Sequence, residues 1–167
     1  MRIAVLALSL LVSTFAQANI LNKMLTNPKL DLNGKGTWAA MDGSSDKWEG
    51  TLTVEQQDSV VENTTVLKLT YALTITHGDE SMAFNTTTYM VVDENMFFNV
   101  LAEDNSTNIG SGYCVEEYCH YEINNINQKR EETWNLGNDS LVSFGSLSEL
   151  SNQNKVKYHG VYTQASK

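Results

Sequence analysis

Proline is all but missing from this chain, with Pro28 the single example in 167 residues. Cysteine is scarce at two, and cations are outnumbered, 11 Lys and Arg against 20 Asp and Glu. The first two scarcities exclude a collagen-like or proline-rich sequence and a disulfide-dense miniprotein. The net charge of −9 lacks the basic surface that holds a phosphate backbone or an anionic bilayer, so nucleic acid is not an expected partner. No uninterrupted apolar run approaches the roughly 20 residues that a membrane-spanning helix needs. What is there, 41% apolar and 19% charged residues, suits one compact domain.

Residues 1–18 read as a signal peptide. Met1-Arg2 supplies a positive start, positions 3–12 are apolar except for Ser9, and Ala16-Gln17-Ala18 has the small-x-small form that a signal peptidase accepts. Cleavage after Ala18 is expected, leaving 19–167 as a single domain that has lost only the charge of Arg2. The expected localisation is secreted or periplasmic, where thiols oxidise. Cys114 and Cys119 enclose Val115-Glu116-Glu117-Tyr118 and are expected to form a disulfide across the neck of a tight turn. Their spacing matches neither the two-residue redox motif nor a zinc half-site. His77, His120 and His159 show no His-x-x-x-His spacing, so neither a metal nor a cofactor is expected.

Beyond the leader the dominant hydrophobic period is two. Between Thr65 and Thr76, the residues Leu67, Leu69, Tyr71, Leu73 and Ile75 alternate with Val66, Lys68, Thr70, Ala72 and Thr74, which is a strand with one apolar side. The same reading places strands at 36–41, 47–55, 82–92, 95–102, 110–114, 118–123, 128–136, 140–147 and 155–163. Turn-rich pieces such as Asp42-Gly43-Ser44-Ser45 and His77-Gly78-Asp79 separate them. Short connections make a meander of antiparallel strands, and closing it on itself removes the exposed edges. The expected fold is therefore all-β, an antiparallel up-and-down barrel of about 8–10 strands. Ile20, Leu21, Met24 and Leu25 have helical spacing and predict a short N-terminal helix capping one end.

The first strand carries Gly36-Thr37-Trp38, which resembles the Gly-x-Trp signature at the start of lipocalins and related calycin barrels. The resemblance implies a lipocalin-like barrel over the whole mature chain and a tendency to hold a small ligand. On the residues alone, the Trp38 ring is expected to plug the barrel floor. The candidate ligand-binding residues are Trp48, Tyr71, Phe84, Phe98, Arg130, Trp134 and Tyr158. Arg130, Glu132, Trp134 and Leu136 share one face of their strand, and the two charges are expected near the barrel mouth, in water.

The expected function is an exported protein that binds a small hydrophobic or amphipathic ligand. The alternative is a non-catalytic structural or protein-interaction module with a solid core and an acidic outer surface. An outer-membrane barrel also begins with a signal peptide, but this chain ends at Lys167 without a terminal aromatic and alternates with many Thr, Glu and Lys. No nucleophile elbow or paired-carboxylate motif supports an enzyme: Glu116-Glu117 and Glu131-Glu132 point to opposite faces of their strands.

Overall fold

The computed structural model describes residues 19–126, 128–149 and 155–165, and the expected leader at 1–18 lies outside them. The period of two becomes ten strands: β1 (Lys29–Ala40), β2 (Ser45–Gln57), β3 (Thr64–His77), β4 (Glu80–Asp93), β5 (Phe97–Leu101), β6 (Asn108–Val115), β7 (Tyr118–Asn124), β8 (Gln128–Leu136), β9 (Ser140–Glu149) and β10 (Lys155–Gln164). Each pairs antiparallel with its neighbours in sequence, and β10 closes onto β1 to complete an up-and-down barrel. All ten expected strands are present. The main extension is β1, which begins at Lys29 rather than near residue 36. Leu30, Leu32 and Gly34 are buried there while Asp31, Asn33 and Lys35 face out, so the alternation runs straight through residues that read locally as turn formers.

Antiparallel pairing sends successive hairpins to alternate ends of the barrel. One end is closed. Helix α1 (Ile20–Thr26) lies across it with Ile20, Leu21 and Met24 buried. Its start is held by Asn19, whose side chain accepts from the Asn22 amide and donates to the Glu116 carbonyl, and by the Ile20 amide bonded to the Gly137 carbonyl. Such a cap contributes about 1 kcal/mol. The helix stops at Asn27 because Pro28 follows, and proline biases its predecessor towards extended backbone. Beneath the helix, Leu30, Leu52, Leu67, Leu69, Met90 and Trp134 pack as a continuous core.

The Cys114–Cys119 disulfide joins directly opposed residues of β6 and β7 at this closed end. It clips the hairpin as expected, and such a bond indicates an oxidising compartment. Because the loop is short, replacing both cysteines by alanine is expected to lower stability by only about 1–2 kcal/mol in urea unfolding. Failure of the reduced chain to fold would contradict a purely local clip. Among the described residues no helix is long and apolar enough to cross a membrane.

Candidate functional site

The inward rows of the strands are not filled evenly along the barrel. In the closed half, large aliphatic side chains meet in the middle. Towards the other end, β1, β9 and β10 present Gly34, Gly36, Gly145 and Gly160 inward, and atoms of the Trp48, Tyr158 and Tyr162 rings fill the space that side chains at those positions would take. A ring laid on a glycine lines the wall instead of crossing the barrel, and space remains. The result is a cavity of about 490 Å³, within the range of roughly 300–1,000 Å³ typical of sites for a single small ligand. The expected choice between a hollow and a solid interior is resolved by halves: packed beneath, open above.

Trp38 corrects an expectation. It does not plug the floor, because β1 starts earlier than expected and the residue falls near the far end of that strand. It stands at the mouth, half-buried, with ring centroids 6.3 Å from Phe84 and 6.4 Å from Tyr158. Phe84 at 37% exposure and Met82 at 61% complete this rim. Leu73, Ile75, Leu147 and Val156 add further apolar side chains to the lining.

Arg130 and Glu132 are a second correction. They do not sit in water: Glu132 is 2% exposed and the Arg130 side chain 23%. The inward face of β8 carries both into the barrel, where bonding offsets the cost of burial. Arg130 donates through Nη2 to Glu132 and through Nε to the Tyr158 hydroxyl at 2.8 Å. Tyr158 donates in turn to Glu132 Oε2 at 2.6 Å, and Trp134 Nε1 donates to Oε1. The guanidinium also lies 5.2 Å from the centroid of the Tyr158 ring, a favourable cation–π distance. Burial opposes the charge on Arg130, but Glu132 together with the Tyr121, Tyr158 and Tyr71 hydroxyls more than offsets it, and the guanidinium stays protonated well above its ordinary range. Burial, with Glu132 adding to it, also pushes the Tyr71 and Tyr158 hydroxyls well above the usual phenol range. Both remain neutral donors, and both Glu132 oxygens already accept hydrogen bonds.

Of the residues expected to bind a ligand, Trp48, Tyr71, Phe84, Arg130 and Tyr158 come together around this cavity. Phe98 and Trp134 lie in the packed core instead; Phe98 covers Gly112 and meets Tyr121, and Trp134 is 1% exposed. Ser143 and Tyr162 also line the space. Their signal was readable, since each falls on the inward alternation of its strand, at Leu141, Ser143, Gly145 and at Tyr158, Gly160, Tyr162. Trp48 Nε1 is buried and has no hydrogen-bond partner among the described residues.

Outside the barrel, His120, Glu122 and Glu131 bring possible ligand atoms within 4.8 Å of one another. Sequence spacing did not suggest this grouping because Glu131 comes from β8, directly opposite Glu122 on β7. The two carboxylates face solvent.

No protein-family model matches the sequence, and no curated protein matches it. Among solved structures, the S-type phycobiliprotein lyase CPES from Guillardia theta is similar, with a TM-score of 0.69 at 6% sequence identity, covering 88% of this chain and 93% of that one. At that identity the likeness is one of architecture. Together with the closed ten-strand meander, it shows that this chain has the lipocalin-like calycin barrel fold.

Proposed function

We propose that this chain is an exported carrier that holds one small, partly apolar molecule in the open half of its barrel. The observation that carries the reading is the cavity of about 490 Å³, walled by Leu73, Ile75 and aromatic rings and supplied with a few convergent polar groups. That combination is the ordinary make-up of a small-molecule site. A solid interaction module has no use for such a space. Export is supported by the leader-like residues 1–18 and by the disulfide. The outward residues of β2 and β3, among them Lys47, Glu49, Glu55 and Lys68, favour a barrel surrounded by water over one surrounded by lipid. The structural neighbour is described as a phycobiliprotein lyase; the ligand class here is argued from this chain's own lining.

Titration with N-phenyl-1-naphthylamine is expected to give saturable, one-to-one enhancement of probe fluorescence. Thr86→Trp places a large ring into the cavity opposite Tyr71 and is expected to weaken that binding about tenfold, the equivalent of about 1.4 kcal/mol. A probe that shows no saturation with the unmodified protein would count against the carrier reading.

A further inference from the structure

The barrel wall has a gap in its side. β4 pairs with β3 along its whole length, from Asp93 back to Glu80, but with β5 only from Tyr89 to Val92. β5 stops at Leu101 and β6 starts at Asn108, so no strand among the described residues lies beside residues 80–88 on that flank. The connection 102–107 does not take its place. It folds on itself, with the Ala102 amide bonded to the Thr107 carbonyl and Asp104 accepting from the Ser106 and Thr107 amides. Every second residue of 80–88 therefore turns its N–H and C=O to an open edge, and none of these groups has a main-chain partner there among the described residues.

Folded proteins normally blunt such an edge with lysine, proline or a bulge. Residues 80–88 read Glu-Ser-Met-Ala-Phe-Asn-Thr-Thr-Thr, without Lys or Pro and with one charge, at the first position. Their register with β3 is unbroken. The edge also borders the cavity: Thr86 and Thr88 line it, Thr87 from the outward row reaches it, and Ala102, Glu103 and Ile109 belong to the same lining. A strand laid along β4 would send alternate side chains inward, beside the exposed Met82 and Phe84. Charge then narrows what that strand can be. Between Lys68 and Lys129 the chain has no Lys or Arg and nine Asp or Glu, with Asp79 and Glu80 at the start of the free stretch and Glu103 and Asp104 in the 102–107 connection. A second copy would bring the same anionic segment against itself, whereas a segment carrying Lys or Arg is drawn in.

We infer that the open edge of β4 takes an extended, cationic segment of a different polypeptide, which adds a strand beside residues 80–88 and closes the side of the cavity. Main-chain hydrogen bonds hold the segment, and its inward side chains meet the cavity lining. The inference goes beyond the carrier reading and does not depend on it, since the edge is open whether or not a small molecule lies inside.

The probe is the peptide acetyl-Lys-Thr-Val-Thr-Val-Thr-Lys-amide, followed by calorimetry and by amide hydrogen exchange of the unmodified protein. One-to-one binding is expected, with slowed exchange at alternate amides of residues 81–88. In a strand the threonine amides of this peptide face one edge and the valine amides the other. N-methylation of one set is therefore expected to weaken binding about tenfold or more, through lost main-chain bonds, and N-methylation of the other set to leave it nearly unchanged. Replacing both lysines by glutamate is expected to weaken it about tenfold as well. Sedimentation velocity of the protein alone is expected to show a monomer. No binding, equal binding of both methylated forms, or equal binding of the glutamate peptide would each overturn the inference. So would a dimer whose 81–88 amides are already protected, because a second copy would then hold the edge.

Discussion

Glu132→Ala is expected to destabilise the protein by about 3 kcal/mol or more, the cost of leaving a buried charge without its partner. The substitution removes an acceptor used by Arg130, Tyr158 and Trp134 at once. Among the described residues Arg130, on the inward face of β8, then has no other carboxylate in the cavity lining except Glu103 at the mouth. Replacing the pair together, Arg130→Met with Glu132→Leu, is expected to recover most of the loss, because two apolar side chains of similar volume carry no desolvation cost. Urea unfolding of the two variants measures the difference. Equal destabilisation would show that the network's worth lies in its shape rather than in its charge.

Gly160→Val is expected to have the second largest effect, about 2–3 kcal/mol, in the range found for overpacked interiors. A Cβ at this position would stand 2.2 Å from Trp48 Cζ2 and 2.7 Å from Cη2. The indole must then leave the wall and enter the cavity. Valine's preference for strands over glycine's recovers a fraction of the cost. Combining it with Trp48→Leu is expected to give a double variant more stable than the sum of the single losses, since the clash has gone with the ring. The cycle is read by urea midpoints, with near-ultraviolet circular dichroism following the ring. Strict additivity would mean that Gly160 is there for some reason other than the Trp48 ring.

These two expectations mark the boundary of what was legible. The β3 row of Leu67, Leu69, Tyr71, Leu73 and Ile75 declared its inward face through alternation alone, and it is buried as that pattern required. The short turns and the flanking cysteines likewise foretold the β6–β7 hairpin and its clip. Gly34 fell outside the expected first strand, which opened at Gly36, since glycine beside asparagine reads locally as an interruption. Here each lies beneath a ring from another strand, Tyr162 or Trp48. Arg130 and Glu132 misled in a different way. Charges on an apolar face are usually solvated, and only the arrival of Tyr158 from β10 makes burial tolerable.

By itself the sequence determined that this is a meander of antiparallel strands, roughly where most of them run, which face of β3 is apolar and which cysteines join. All of these follow from alternation and turn chemistry, which act over a few residues. The tertiary structure decided that the barrel is packed at one end and hollow at the other, and that Trp38 guards the mouth. It also left Trp48 with an unpaired donor. Those outcomes depend on which ring meets which glycine across strands distant in sequence, and that register exists only once the ribbon has closed.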